Sequence, residues 1–416
     1  MKRLNVVLSC DPAVPVRVGE LAELDGRIYF EYDPGFRGRG LELSPFKLPL
    51  QEGLVEHRPT AHGTLFGLFA DSLPDAWGRL LMDRALRKAG FNPEAATPLD
   101  RLAWLGGTAM GALSYHPPTG VEVAAGDTLD LLKLEREAVR VLEGEAVEVL
   151  PALLRAGGSP GGARPKVLVG VRGERLISGE GDLPEDFLQG GGEHWMIKFS
   201  ATVDAPDAGA VEFSYSRMAA AAGVEMPPTR LFETRVGRRT HRWFGVRRFD
   251  RPAGNRRRHV QTYAGLVEQA PPYLTADYRD LLKVTSVLTG DQRECLKLFR
   301  LMVFNAVTHN RDDHGRNFAF LMDEATGDWS LSPAYDLTFS RGPNGWHSTT
   351  LDGEGCVPTR AVCVRLAESV GIPQAQADRV IERTHEAASC WRSLASEAGC
   401  SKKTINDVAK SLVTLA

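Results

Sequence analysis

Between Thr308 and Phe318 the chain reads Thr308-His309-Asn310-Arg311-Asp312-Asp313-His314-Gly315-Arg316-Asn317-Phe318, and few folds can hold so dense a polar run. Upstream, Cys295, Leu298, Phe299, Met302, Val303 and Ala306 recur at helical spacing, and Asp291 with Glu294 reads as a capping box. Downstream, one hairpin later, comes Pro333-Ala334-Tyr335-Asp336-Leu337. The pattern predicts a long buried helix that delivers polar groups into a β-hairpin.

Phosphoryl transfer requires a carboxylate to take the acceptor hydroxyl proton and oxygen ligands to hold magnesium against phosphates. Asp312 supplies the base, and Asn317 and Asp336 supply the metal ligands, at the spacing of a kinase catalytic loop followed by its metal-binding Asp. A plainer reading is that the cluster only caps the long helix and satisfies a turn. A transition-metal site built from His309, Asp312, Asp313 and His314 is a second rival. It is disfavoured because the histidines are not one helical turn apart and the oxygen set suits a hard ion. His309 and His314 then read as structural polar residues.

Three further features appear in the order such an enzyme needs. Lys198 ends the apolar strand Trp195-Met196-Ile197, where a charge calls for a partner. Glu212 opens the next helix and can supply one, although each residue alone reads equally as a solvent-facing strand end and a first-turn carboxylate. The glycine-rich stretch Gly157 to Ala163 exposes backbone amides suited to phosphates or serves as a connector. Ser159, the hydroxyl within it, would oppose ATP if phosphorylated, since a phosphate adds about −1.5 to −2 charges. The segment Phe244 to Phe249 has the place of an adenine-binding hinge, with Val246 and Phe249 equally readable as core.

Around these motifs the chain alternates strands and helices. Asn5 to Ser9, Val16 to Leu24 and Arg27 to Tyr32 read as strands, the last pair joined by Asp25-Gly26. Gly63 to Gly90 reads as helical, and His116 to Asp127 as a linker. Helices are expected over Leu129 to Leu142 and Val147 to Arg155. Strands are expected over Lys166 to Val171, Arg175 to Ser178 and His194 to Phe199, then a helix from Val211 to Ala222 closed by Gly223. Two strands flank Gly237, and three helical segments follow the loop from Arg341 to Gly355. The chain is expected to divide at 1–118, 119–251 and 252–416.

The 416 residues carry a net charge of −3, which provides no overall attraction to nucleic acid or membrane. Six cysteines without a Cys-x-x-Cys pair read as free thiols in a reducing compartment. The apolar run before Cys10 is too short for a secretory signal, and no segment approaches a membrane span, so a cytoplasmic location is expected.

Taken together, these residues resemble the HipA kinase family over nearly the whole chain. Gly162-Ala163-Arg164-Pro165-Lys166 resembles that family's phosphate loop, Ile197-Lys198-Phe199 its ATP-lysine strand, and Val246-Arg247-Arg248-Phe249-Asp250-Arg251 its hinge. Asp312 to Phe318 and Pro333 to Asp336 are similar to its two catalytic motifs, and Leu73-Pro74-Asp75-Ala76-Trp77-Gly78 and Gly107 to Leu113 to its amino-terminal domain. The sequence departs from the usual pattern at Arg164, Pro165 and Arg247.

The resemblance implies an α+β, protein-kinase-like two-lobed fold with a β-rich N-terminal subdomain and an all-helical C-terminal lobe. It implies serine/threonine kinase activity with ATP and Mg2+, in which Gly161, Gly162, Ala163, Lys166, Lys198, Glu212, Arg247, Phe249 and His314 hold the nucleotide. Autophosphorylation at Ser159, a HipB-like helix-turn-helix antitoxin and an aminoacyl-tRNA synthetase substrate follow from the same resemblance. The rivals are a catalytically inactive binding or repressor module of this fold and a metal-dependent hydrolase.

Ten arginines lie between Arg235 and Arg258. They read as a solvated hairpin and linker face. The sharper alternative is contact with operator DNA beside the antitoxin, or with tRNA on the target.

Overall fold

A computed structural model of the chain describes residues 1–120, 128–144, 153, 164–179, 181–201, 207–271 and 275–415. The loop from Gly157 to Ala163, with Ser159, lies outside the described residues, as does most of the helix expected over Val147 to Arg155.

The first sheet is antiparallel, in the order β4-β3-β2-β1-β5, with β1 Lys2–Leu8, β2 Val16–Leu24, β3 Arg27–Tyr32, β4 Leu54–His57 and β5 Leu113–His116. Alternation sets its buried face: Leu4, Val6 and Leu8 point inward along β1. Asp25 and Gly26 both take positive φ, of 50° and 75°, the twist a two-residue hairpin needs. The expected helix over Gly63 to Gly90 is two helices, Gly67–Ala70 and Ala76–Lys88. Pro74 separates them, because it lacks an N–H and biases the preceding residue away from helical angles. Downstream of β5, Pro117 to Gly120 is no loose tether: Thr119 N–H donates to Ala103 O, and a Cβ on Gly120 would stand 2.1 Å from Trp104 O.

A second antiparallel sheet has the order β7-β6-β8-β10-β9, with β6 Lys166–Arg172, β7 Arg175–Ser178, β8 Glu193–Lys198, β9 Thr229–Val236 and β10 Arg239–Arg247. The Ala208–Ala222 helix joins β8 to β9 and ends at Gly223, whose φ of 82° suits only glycine. Gly209 lets this helix lie against β10, since a Cβ there would meet Arg242 O at 2.8 Å. The core under the sheet joins Val167, Val169, Ile197 and Trp243 to Leu134 and Ala138 of the Leu131–Leu142 helix and to Trp77 and Leu81 of the Ala76–Lys88 helix.

The remaining lobe is mainly, not wholly, helical. It adds a three-stranded sheet, β11-β13-β14, built from β11 His259–Thr262, β13 Ala319–Met322 and β14 Trp329–Leu331. A parallel pair is formed by β12 Ala276–Asp277 and β15 Thr349–Thr350. The long helix is Gln292–Thr308, with all six expected apolar positions buried. Its start is not a capping box. Asp291 accepts from Arg293 N–H, but the Glu294 carboxylate instead takes the N–H of Leu331 on β14 at 2.8 Å. Four helices end the chain rather than three: Arg360–Ser369, Gln374–Ser389, Trp391–Glu397 and Lys402–Ala409, the middle pair separated at Cys390. One continuous core runs from the first sheet through Phe66 and Phe69 to Leu298, Phe299 and Met302 of the long helix.

The arginine-rich segment is not a uniform solvated face. Arg248, Arg251 and Arg257 are buried, and Arg256 pairs with Asp11 at 3.3 Å and with Glu324 at 2.5 Å. Arg235, Arg238, Arg239 and Arg258 are exposed.

Candidate functional site

Lys198 stands at the end of β8 with its side chain only 10% exposed. A buried ammonium needs anionic partners. Its Nζ donates to Glu212 of the Ala208–Ala222 helix and, at 2.6 Å, to Asp336 Oδ1, so one lysine bridges the upper sheet, its helix and the loop after β14. Burial alone would lower the Lys198 pKa, but the two carboxylates overcome it and hold the ammonium above its usual range. Burial raises Glu212, with Lys198 opposing and Asp336 adding to the rise. Burial also pushes Asp336 up, yet Lys198 and Lys166 win and keep that carboxylate below the usual range, hence ionised. Asp336 takes a φ of 58°, a left-handed conformation that an Asp tolerates better than most side chains.

Lys166 lies directly across from Lys198 in the β6–β8 register and is 4% exposed. Burial depresses it to about 8, against the pull of Asp336. Two lysines thus converge on the carboxylate of Asp336.

On the opposite wall, the long helix ends at His309, whose φ of 58° turns the chain into the Asp312 loop. His309 Nδ1 pairs with Ser340 O at 3.1 Å and its ring stacks on Phe339, a structural role. His314 caps the short 3-10 turn Gly315–Asn317, its Nδ1 accepting from Arg316 N–H. Asn317 Nδ2 donates to Asp312 O at 2.7 Å, which fixes the two ends of the loop relative to each other. The Asp312 side chain is open to solvent, yet the protein around it and the nearby carboxylates of Asp336 and Asp313 raise its pKa, with His314 and Arg164 opposing.

A cavity of about 190 Å³ brings together Lys166, Lys198, Glu212, Arg247, Phe249, His314, Asn317 and Asp336. Asp312 is not among its lining residues. Gly161, Gly162 and Ala163 cannot be placed against it, being outside the described residues. At the hinge, Phe249 lines the cavity and its ring approaches that of Tyr335, while Arg247 pairs with Glu193 at 2.7 Å. Asp336 and Asn317 form a hard oxygen pair of the kind magnesium accepts when phosphates and water complete its shell. Among the described residues no three His, Cys, Asp or Glu side chains gather as a metal site, and Asp313 is spoken for by buried hydrogen bonds, unlike the transition-metal arrangement considered above.

The model of the HipA-like C-terminal domain matches residues 158–391, and that of the HipA N-terminal domain matches residues 14–116. The chain belongs to the HipA family. Among curated relatives, the protein named "Putative kinase Y4mE" from Sinorhizobium fredii is 28% identical over 308 residues, covering 70% of this chain and 68% of that protein. Among solved structures, HipA of Shewanella oneidensis, in a complex with HipB and its operator DNA, superposes with a TM-score of 0.69 at 18% identity, covering 99% of this chain and 95% of that one. This HipA-family chain therefore has the two-lobed α+β fold expected, with strands added to its helical lobe.

Two parts of the candidate site were not anticipated from the sequence. The first is the contribution of the N-terminal unit, whose Leu68, Asp71, Leu73, Asp75, Met110 and Ala112 line the cavity. The second is Asp313, which organises the loop from beneath: it accepts Tyr278 OH at 2.8 Å, His347 Nδ1 at 2.9 Å and Ser348 N–H at 2.9 Å. Two adjacent aspartates after a helix end were a usable signal, since only one of the pair can face the cleft.

Proposed function

We propose that this HipA-family chain is the kinase toxin of a toxin–antitoxin pair, transferring the γ-phosphate of ATP to a serine or threonine of a protein. The observation that carries the reading is the bridge from Lys198 to Glu212 and Asp336: the first is the lysine–glutamate pair a competent kinase cleft requires, and the second sets the candidate metal-binding carboxylate beside that lysine. Lys166 and Lys198 would hold the phosphates, and Phe249 and Arg247 would border the base. Asp312, its pKa raised by burial, accepts the proton as the acceptor oxygen bonds to the γ-phosphorus; the bond from that phosphorus to the bridging oxygen breaks and ADP leaves. Asn317 and Asp336 would hold magnesium, which neutralises charge on the phosphates when bound.

Ser159 is the proposed self-phosphorylation site and an aminoacyl-tRNA synthetase the proposed target, both on the family resemblance. A HipB-like helix-turn-helix antitoxin is the proposed partner, with operator DNA reached through it; the exposed Arg235, Arg238, Arg239 and Arg258 are the candidate basic contacts. We place the protein in the cytoplasm, in three units bounded at 1–118, 119–251 and 252–416. No helix among the described residues is long and apolar enough to cross a membrane.

Incubation with magnesium and γ-labelled ATP tests the reading. Wild-type protein should label itself at Ser159 and Asp312→Asn should not. ATP binding without labelling would favour an inactive module, and labelling lost on Ser159→Ala would assign the site.

A further inference from the structure

Arg316 sits inside the loop that carries Asp312 and Asn317, with its side chain 13% exposed. Its guanidinium does not stay within that loop. Nη1 forms an ion pair with Asp75, while Nη2 donates to Ala70 O at 3.4 Å and stands 4.0 Å from Asp71 Oδ1, so all three contacts belong to the N-terminal unit. Asp75 occupies the N-cap position of the Ala76–Lys88 helix but makes no capping hydrogen bond there. Its carboxylate pairs with Arg316.

The acidic side of this clamp is itself anchored. Asp71 accepts Thr262 N–H at 2.7 Å and Thr262 Oγ1–H at 2.9 Å. Gly67 and Gly265 pack backbone to backbone, since a Cβ on Gly67 would lie 2.0 Å from Gly265 O. From the other direction, Tyr335 OH donates to Arg316 O at 2.6 Å, which ties the segment bearing Asp336 to the same arginine. Within the Asp312–Asn317 loop the bonds are the 3-10 turn, the His314 cap on Arg316 N–H and the Asn317 bond to Asp312 O, while Asp313 fastens the start of the loop from beneath. Arg316 adds an anchor toward the end of the loop, and this one reaches the N-terminal unit.

We propose that Asp71 and Asp75 are positioning residues, which hold the Asp312–Asn317 loop in register with Asp336 through Arg316 and so make the N-terminal unit part of the catalytic apparatus. The proposal rests on the kinase reading above. Loss of the clamp should misplace the base and the metal ligand; Asp71, Asp75 and Arg316 also line the cavity, so affinity shifts as well, but by much less than the rate, for which a displacement of about 1 Å can cost on the order of a hundredfold.

The test measures the self-labelling rate at saturating ATP, the Kd of a fluorescent ATP analogue and the melting temperature, for wild type, Arg316→Ala, Arg316→Lys, Asp75→Asn and Asp75→Glu. Asp75 is partly exposed, so its near-isosteric variant keeps the test informative if Arg316→Ala fails to fold. Arg316→Ala and Asp75→Asn should slow labelling by roughly 10- to 100-fold with a much smaller change in Kd, and the conservative variants should recover part of the rate. Asp75→Asn labelling at the wild-type rate overturns the proposal, as does a Kd that weakens in step with the rate, which would make the pair a nucleotide contact. A wild-type protein that never labels overturns the kinase reading first, and this one with it.

Discussion

The carboxylate of Asp313 and the imidazole of His347 meet at 2.9 Å in the protein interior, both fully enclosed. Through that contact the loop carrying Asp312 is fastened to the loop after Asp336. Tyr278 OH, Ser348 N–H and Thr349 N–H converge on the same carboxylate. Arg311 adds a second tie, donating to Cys356 O at 2.7 Å and to Gly345 O. Asp313→Ala leaves these buried donors without their acceptor, and the expected loss is about 3 kcal/mol. Urea unfolding reads it directly. A loss under about 0.5 kcal/mol, the range of ordinary surface changes, would show that Asp313 is not the organising group.

Asp250 occupies a comparable place at the hinge. It accepts two bonds from Arg248 at 2.9 and 2.7 Å, one from Arg251 at 2.8 Å, and Gly111 N–H at 2.9 Å from the N-terminal unit. Burial would raise its pKa, but the two guanidinium groups overcome burial and hold the carboxyl below its usual range. A depressed carboxyl contributes stability that is complete above its unfolded pKa of about 4 and is lost as pH falls toward the folded value. Asp250→Ala strands two buried cations and should cost roughly 3–5 kcal/mol near neutrality. Its unfolding free energy should also fall less steeply than the wild type's below pH about 4. Parallel acid profiles would refute the ion-pair account.

Lys166 carries the pH dependence expected for nucleotide binding. Burial depresses it to about 8, so in the folded protein its charge is present below that pH and fades above it. Affinity for ATP should weaken as pH rises past about 8, whereas Lys198, held above its usual range, stays charged. Stability moves the other way. An unfolded lysine keeps its proton to about 10.4, so the folded state binds fewer protons between the two values and this residue's contribution improves with pH across that window. Lys166→Met should flatten the binding profile between pH 7 and 9.5, measured with a fluorescent ATP analogue. A variant whose profile still tracks the wild type would exclude Lys166 as the titrating group.

Local patterns carried much of this fold into view. The strands over Val16–Leu24 and Arg27–Tyr32 are exposed in the sequence by alternation plus one Asp-Gly turn, both of which act within a few residues. Lys198 and Glu212 were legible because a buried cation demands an anion and the chain order offers one, and Asp336 because it follows the Asp312–Asn317 loop at kinase-like spacing; that Lys198 meets both carboxylates comes from the structure. What escaped reading depends on distant partners. Asp75 meets Arg316 across a separation of 241 residues, and nothing near Asp75 in the sequence distinguishes it from an ordinary helix cap. Glu294 fails the other way, since its local capping-box pattern loses to the N–H of Leu331, which packing delivers to the same carboxylate. Arg248 and Arg251 were read with a basic surface run, although the Asp250 between them was the available sign that they face inward.

The tightest steric constraint on the candidate catalytic loop is at Gly315. A Cβ there would stand 1.9 Å from Gln269 Oε1 and 3.3 Å from the Tyr263 ring. Gln269 is 8% exposed, so its amide has little room to withdraw. Gly315→Ala must therefore push either the amide or the loop, and overpacking of this kind costs about 1–3 kcal/mol. If the loop yields, Asp312 and Asn317 move with it, and self-labelling should fall while the Kd for ATP changes little. Shortening the obstacle separates the two routes: Gln269→Ala added to Gly315→Ala should recover both stability and labelling, and a double variant no better than the single one would mean that the clash at Gln269 is not what limits this position.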